Sequence, residues 1–581
     1  MSNDKDPEIH IKTLLTDYPI LLATPYSSQL IARQCFGFHK LLMPIHRLTL
    51  ARNSNRNTRT ILLLNTTTTA NPLTTILTTA RTKLRVRTKT ARLFLLPTGH
   101  ELDVTDDSSF LSALASTPDA TLLISQGEDY VGSVSPASVV RGVVINLAKN
   151  TYTDPQAIWQ LTNSAALPGI TMAVGQPDLH PGTKFPIGAV FVSKEWLHPP
   201  LIGSDIGCGM SYYRVSLPRT LLEGKAACQR VAETLRGLEG PWLGTREREA
   251  WLGGEGNATG IERFDQALGT IGAGNHFAEV QTVEEGVEVA GGEVVLLVHS
   301  GSRGFGGEVL GRFYSHDTEV ARKNGCINVV EEPERAREYL ELHDKACNWA
   351  HASRDLIALR LLQRLEPGGE WDCAEGLSAE EINLLRQKVA ERKWVDIHHN
   401  NVVKALWPPQ SNGGEEEQTE VYIHRKGAAP TTPSHPLLPL PGSRGAPTLL
   451  LKPLFTPENG YGGKHALSAA HGAGRAMSRA KASEKFKGRY EAGGVKMIAK
   501  RETKKGDRGN SDFIAGGGGG KGKKTVEDGG WLVCDEKELV WEEAPGAYKD
   551  IETVAKDLVE AGVVDVVGRC IPRVTYKVRK E

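Results

Sequence analysis

Blocks of apolar residues alternate with polar and glycine-rich stretches along the chain, and their periods predict both helices and strands. TILLLN (Thr60 to Asn65) reads as a strand, Pro72 to Leu84 as a helix, ARLFLLPTGHEL (Ala91 to Leu102) as a strand running into a Gly turn, and ATLLISQGEDYVG (Ala120 to Gly132) as a further strand. VVRGVVINL (Val139 to Leu147) supplies one strand within a connector over Gly132 to Pro155. Val294 to Val298, β-branched and wholly apolar, predicts a buried strand with His299 at its end, where a Gly-rich loop opens. Glu331 to Gln363 and Ser378 to Lys393 carry apolar residues at helical spacing with charges between them. They read as surface helices, with Trp349 and Leu359 in the core.

Two stretches do not fit this alternation. Met1 to about Asn55 has no clear period, and its mixed apolar and basic run from Phe36 to Leu50 suits either an amphipathic helix or a poorly ordered segment. Lys496 to Gly530 includes KRETKKGDRGN, the five glycines Gly516 to Gly520 and KGKK, and has too little apolar surface to fold, so it reads as a flexible Gly/Lys-rich insertion. The expected organisation is therefore an unassigned segment 1–55, a module 56–133 and a catalytic domain 134–581 interrupted at 496–530. The strand and helix order of 56–133 looks like a small β-grasp (ubiquitin-like) module, a fold that commonly binds partners. The whole chain is expected to be α+β.

A chain of 581 residues is too long for one compact domain. Its 69 basic and 69 acidic side chains give no net charge that would announce a nucleic-acid partner, although a groove can be basic when the total is balanced. The eight cysteines show no paired spacing, which argues against a disulfide-stapled secreted protein. No apolar run reaches the roughly 20 residues of a membrane span, and the acidic start MSNDKDPEIH is neither a secretory signal nor a transit peptide. A cytoplasmic or nuclear protein without membrane contact, and a monomer, is expected.

The candidate chemistry begins at LIGSDIGCGM (Leu201 to Met210). There Asp205 and Cys208 stand three residues apart among glycines, so a carboxylate and a thiolate can share one tight turn. GAGNHFAE (Gly272 to Glu279), VLLVHSGSRGFG (Val295 to Gly306) and DIHHNN (Asp396 to Asn401) add histidines beside apolar runs. Thiolate, imidazole and carboxylate together suit manganese or zinc better than an all-oxygen calcium or magnesium cage. Separate hydrogen-bonded histidines remain the alternative.

These motifs, with QPDLHPGTKFPIGAV (Gln176 to Val190), PGSRG, HGAGR and a C-terminal lysine, resemble in kind and order the RtcB-type RNA ligases over about Leu167 to Lys577. The resemblance implies an RtcB-like catalytic domain that joins an RNA 3′-phosphate or 2′,3′-cyclic phosphate to a 5′-hydroxyl, in tRNA splicing or RNA repair. It also implies GTP as co-substrate, two manganese ions per site and an archease-like activator as a partner. Asp205, Cys208, His276, His299 and His399 then match the metal ligands, with Cys208 bridging. His399 is preferred to His398 because Asn400 follows it directly. His471 matches the histidine that carries guanylate. Asn275, Glu279, Asn400, Pro441, Gly442, Ser443, Arg444, Thr448, His471, Gly472, Ala473, Gly474 and Lys577 match positions that bind the nucleotide.

A sealing reaction needs a leaving group on the 3′-phosphate. A neutral imidazole can provide one by carrying a nucleotidyl group. The N–H groups of the Gly472–Gly474 turn and the fork of Arg475 are expected to cradle phosphate oxygens, with His180 and Arg303 near the RNA. Two departures from the family pattern stand out: Arg444 replaces a methionine, and a tail follows Lys577. A dimetal RNA cyclic phosphodiesterase or phosphatase and a non-catalytic RNA-binding scaffold are the alternatives. Neither needs a guanylate carrier such as His471.

Overall fold

The computed structural model describes residues 45–53, 58–65, 71–87, 90–96, 99–102, 120–128, 130, 142–286, 293–314, 325–368, 371, 373, 375–410, 417–490, 494–497 and 530–579. The insertion expected at 496–530 lies outside these residues apart from its ends, as does most of the segment expected at 1–55. The chain divides into two compact units, Met1–Val139 and Val140–Glu581.

The first unit contains β1 (Ile45–Arg52), β2 (Arg59–Asn65), α1 (Pro72–Lys83), β3 (Leu93–Leu96), β4 (His100–Leu102) and β5 (Thr121–Ile124). They form a sheet in the order β2-β1-β5-β3-β4, with β1 and β5 parallel and the other pairs antiparallel. Leu48, Leu50 and Leu64 face Leu73, Ile76 and Ala80 of α1 in one core. β1 overlaps the stretch that suited an amphipathic helix. Its alternation of buried Leu48 and Leu50 with Arg47 and Thr49 has a period of two, and pairing with β2 satisfies its backbone.

The second unit contains β6 (Val143–Asn146), α2 (Pro155–Ser164), β7 (Ile170–His180), β8 (Ile187–Ser193), β9 (Gly209–Val215), β10 (Phe277–Glu285) and β11 (Val294–Ser300). Next come α3 (Pro333–Leu365), α4 (Ala379–Arg392), β12 (Lys393–His398), β13 (Asn400–Trp407), β14 (Thr419–Lys426), β15 (Leu438–Pro441) and β16 (Thr448–Pro453). β17 (Val495–Met497), β18 (Trp531–Cys534) and β19 (Val564–Val578) complete the sheets. One sheet runs β12-β9-β11-β10-β19-β16-β15, with β18 and β17 joined to β19; a second runs β13-β14-β8-β7-β6. The chain is α+β.

β11 is buried along its length, and its alternate residues enter two cores. Val294, Leu296 and Val298 pack in one with Leu356, Leu359 and other α3 residues. Val295 and Leu297 pack in the other with Val190, Val192, Val421 and Ile423 of the second sheet. That sheet's outer face is covered by Ala157 and Leu161 of α2. The second unit is thus layered helix, sheet, sheet, helix around β11. Residue 299 has the parity of 295 and 297, so His299 falls between the two sheets.

α4 begins with a capping box in which Ser378 and Glu381 bond each other's backbone N–H. α3 differs from the surface helix its pattern predicts. Trp349, Arg354, Leu356, Ile357, Ala358 and Leu359 are all buried, because the sheet, α4 and the Cys208 turn surround its second half. Its charge is tolerated through pairing. Fully buried Arg354 donates to Asp396 Oδ1 (2.8 Å), Ser211 Oγ (2.9 Å), Gly207 O (3.0 Å) and Ser300 O (3.2 Å), tying β9, the end of β11 and β12 together. Burial alone would raise the Asp396 carboxyl, but Arg354 and His351 hold it well below the usual carboxylate range.

Arg354→Met should therefore cost about 3–5 kcal/mol, because it takes from buried Asp396 the fully buried cation that does most to hold it ionised, leaving only His351 and Lys393 beside it. A depressed carboxylate contributes fully above its unfolded pKa of about 3.9 and loses that contribution as pH falls towards the folded value, so the deficit should shrink in acid. Urea unfolding at neutral and acidic pH measures both effects. Equal stability of variant and parent at neutral pH would refute the assignment.

Candidate dimetal and nucleotide site

Antiparallel pairing brings three chemically rich turns to one sheet edge. β9 starts at Gly209, β11 ends at Ser300 and β10 starts at Phe277, with Met210 opposite His299 and His299 opposite Phe277. Cys208 and His276 lie one residue before their strands, and His299 lies one residue before the end of its own. His399 joins β12 of one sheet to β13 of the other, so the chain crosses between sheets at this residue. Its N–H donates to Cys208 O (2.9 Å) and its O accepts from Ala428 N (3.1 Å).

The result is a cluster of Lewis bases. Cys208 Sγ is 3.3 Å from both His276 Nε2 and His299 Nε2; His299 Nε2 is 3.3 Å from His399 Nε2, and Asp205 Oδ2 is 3.0 Å from His276 Nε2. Cys208, His276 and His299 place ligand atoms within 4.8 Å of one another. His276 Nδ1 bonds Ile271 O (3.1 Å), which directs the lone pair of Nε2 into the cluster. Burial pushes the Cys208 thiol up and the His299 and His399 imidazoles well down, so all three favour neutral forms in the absence of a cation. His276 and Cys208 with carboxylate Asp205 are a donor set that fits a borderline divalent ion. His398, adjacent in sequence, makes none of these contacts among the described residues.

The glycines that frame the turn are sterically required. Gly207 has φ +75°, and a Cβ there would stand 2.8 Å from Cys347 Cα of α3; at Gly301 it would stand 2.2 Å from Asp205 Oδ1.

A cavity of about 630 Å³ opens from this cluster. His471 lines it, its ring 4.6 Å from that of His399 between centroids. Its Nδ1 lies 2.7 Å from Asp178 Oδ2, at the end of β7, and its backbone N–H points to the same oxygen at 3.3 Å. An ionised carboxylate only accepts, so Nδ1 carries the proton and Nε2 the lone pair, and Nε2 has no hydrogen-bond partner among the described residues. Asp178 was not singled out from the sequence although its motif was; the signal was an acidic residue within the buried run of β7.

At the far end of the cavity Glu279 is buried, which raises its carboxyl to about 7 despite bonds from Thr575 and Gln281 Nε2. Lys577 faces the same space; burial lowers it to about 8, and its Nζ donates to Gly274 O (2.6 Å). Val578 continues β19 against Cys534, and Arg579 bonds the Glu239 carboxylate and Glu233 O, so these two residues leave the lysine in place. Asn275, Pro441, Gly442, Ser443, Arg444, Gly472, Ala473 and Gly474 also line the cavity.

Three side chains are differently engaged from the sequence expectation. Asn400 lines the cavity, but its amide spans Asp205 O (3.0 Å) and Gly427 N (2.8 Å) and so braces the turn. Thr448 sits behind Glu279, accepting from Gln281 (2.9 Å). Arg475, expected to clamp phosphate, spends its donors on Glu543, Glu542 O and Met477 O. Arg444 is buried against Val540 O (2.6 Å), with Nε and Nη1 unbonded among the described residues. Of the two residues set near the RNA, His180 lines the cavity and bonds Asp178 O (2.8 Å), whereas Arg303 bonds Thr270 and Ile271. Lys426 and Lys549, not anticipated, also line the cavity.

The family model described as tRNA-splicing ligase RtcB matches residues 160–242 and 244–509. Among curated proteins, RNA-splicing ligase RtcB2 of Escherichia coli is 31% identical over 437 residues, covering 73% of this chain and 93% of that protein. The tRNA-splicing ligase RtcB of Thermococcus kodakarensis is 27% identical over 484 residues, covering 71% and 89%. RNA-splicing ligase RtcB homolog 1 of Entamoeba dispar is 24% identical over 502 residues, covering 74% and 82%.

Proposed function

The chain belongs to the RtcB family of tRNA-splicing ligases, and from that premise we propose that it seals RNA 3′-phosphate or 2′,3′-cyclic phosphate ends to 5′-hydroxyl ends with GTP and manganese through a guanylate carried on His471. The observation that carries this reading is the position of His471, oriented by Asp178 and packed at a tilt against His399 of the donor cluster, in a cavity that Glu279 and Lys577 also line.

His471 Nε2 attacks the α-phosphorus of GTP and expels pyrophosphate, Asp178 keeping the proton on Nδ1 and stabilising the charge that develops on the ring. The RNA 3′-phosphate then takes the guanylate, breaking the bond to nitrogen, and the 5′-hydroxyl attacks the activated 3′-phosphorus with GMP as the leaving group. Asp205, Cys208, His276, His299 and His399 would hold two manganese ions, which would neutralise phosphate charge, polarise the phosphorus centres and acidify the attacking group. Glu279 as acceptor and Lys577 as donor suit the N1–H and amino donors and the O6 acceptor of guanine. Lys426, half-buried beside the Asp205 turn, adds a positive charge on the phosphate side.

The sheet order β2-β1-β5-β3-β4 with α1 packed on one face supports a β-grasp reading of the N-terminal unit, now starting near Ile45. The organisation is accordingly that unit followed by an RtcB-like catalytic domain.

The test is incubation with α-labelled GTP and manganese followed by denaturation. A covalent, acid-labile adduct is expected; its absence from folded, metal-loaded protein would sink the reading and favour a purely hydrolytic centre. Asp178→Asn should slow adduct formation by on the order of 10²- to 10⁴-fold, since an amide permits the wrong tautomer. Metal content should be unchanged. Rapid-quench measurement of the single-turnover rate checks this, and a rate within a few-fold of the parent, on the order of 1- to 3-fold, would remove Asp178 from the positioning role.

A further inference from the structure

From Tyr18 to His100 the chain contains no aspartate or glutamate, while it contains twelve arginines and lysines. The whole chain is balanced at 69 of each sign, so this depletion is local. Solvated faces of ordinary domains mix both signs. A segment of one sign pays for mutual repulsion and gains from a polyanion.

The fold gathers part of this charge at one end of the N-terminal unit. Arg81 and Lys83 occupy the last turn of α1 and are exposed. Beyond the helix, buried Leu84 and Val86 alternate with exposed Arg85 and Arg87, so core packing fixes both arginines outward. Arg52, at the end of β1, donates to Leu84 O (2.6 Å) and Arg85 O (2.9 Å), which draws the β1–β2 hairpin end and its exposed Arg59 to the same place.

Two cations would be enough to complement the helix C-terminus. Arg85 and Arg87 lie outside that role. The acidic side chains among the described residues of this unit are engaged: Glu101 pairs with Arg92 (2.6 Å), and Glu128 accepts from Gln126 N (2.6 Å). Among the described residues none of Arg81, Lys83, Arg85 and Arg87 has a carboxylate in ion-pair distance. Thr82 and Thr90 stand exposed among these cations, and the exposed apolar side chains among the described residues of the unit, Ile61 and Leu63, lie along β2 beyond Arg59.

We propose that this basic end of the N-terminal unit, formed by Arg81, Lys83, Arg85 and Arg87, is an RNA-binding surface that holds the phosphate backbone of the RNA being joined. The choice of RNA as the polyanion rests on the family reading of the catalytic region.

The test uses the full-length protein with Arg81→Gln, Lys83→Gln, Arg85→Gln and Arg87→Gln combined. Binding of a single-stranded RNA with a 3′-phosphate is followed by fluorescence anisotropy across a salt series. Losing four phosphate contacts should reduce the slope of log K against log salt by about 3, at ~0.7 per contact for a single strand. A second variant with lysine at the three arginine positions retains the charges and should keep the parental slope, which separates charge from any structural role of these side chains. Unchanged affinity and slope in the glutamine variant would overturn the proposal. So would loss of binding to phosphatidylserine vesicles with RNA binding intact. GTP adduct formation by the parent chain is scored separately: if it fails, the ligase reading falls, whereas the salt slopes still decide whether this surface binds RNA.

Discussion

His471→Ala is expected to abolish both the guanylate adduct and the sealing of 3′-phosphate ends, while leaving the metal content at the parental level. In the proposed mechanism the imidazole is the nucleophile, and it is absent from the cluster formed by Cys208, Asp205, His276, His299 and His399. Removing the ring deletes a covalent carrier without opening the cluster. Covalent catalysis divides the reaction, so a missing carrier can be bypassed downstream. RNA supplied already capped as a 3′-guanylylated pyrophosphate should therefore be sealed by the variant to a 5′-hydroxyl end. Gel analysis of ligation with uncapped and capped RNA makes the comparison. Failure on capped RNA by folded, metal-loaded protein would mean that His471 also acts in sealing, or that it is not the carrier.

Cys208→Ser should lose manganese and fail on capped and uncapped RNA alike. The thiol is fully enclosed, and burial together with the Asp205 carboxylate pushes its pKa well up, so the thiolate forms there only when a cation compensates it. A bound metal deprotonates a thiol outright, whereas a serine hydroxyl stays protonated and is a weak ligand. Sγ also sits 3.3 Å from two histidine nitrogens, central enough that no neighbouring side chain replaces it. Elemental analysis after gel filtration reads the result. Unchanged metal stoichiometry would exclude Cys208 as a bridge. The contrast between the two variants on capped RNA separates a carrier from a metal ligand, because every step downstream of the cap still needs the ions.

The end of the cavity proposed to hold the nucleotide carries an unusual concentration of charge. Burial lowers the Arg444 guanidinium, which stands next to Lys577, itself brought down to about 8 by burial. Glu543 lies within reach of both charges and of Arg475, with which it pairs at 3.1 Å. Arg479 also lies 3.6 Å from Glu543, so removing this carboxylate would leave four cations, Arg444, Arg475, Arg479 and Lys577, without their shared counter-charge.

The sequence by itself determined the chemistry-bearing turns and the helices with strong local signals. Asp205 and Cys208 are three residues apart on one glycine turn, His299 follows a five-residue apolar run, and Ser378 and Glu381 make a capping box, all features set by neighbours in the chain. Tertiary structure decided what depends on distant partners. Asp178 meets His471 across 293 positions, and Arg354 meets Gly207 across 147; no local pattern encodes such a meeting. The charged sequence of α3 reads as solvent-facing, and Glu334, Arg337 and Glu341 of its first half are exposed, but in the second half Arg354 is buried because Asp396 of β12 neutralises it and Ser211 of β9 accepts from it. β1 was obscured for a related reason: eight residues form a strand only when β2 and β5 supply the missing hydrogen bonds on both sides. His399 was distinguishable from His398 in space because adjacent residues of an extended chain point to opposite faces, and only the crossing from one sheet to the other settles which of the two enters the cluster.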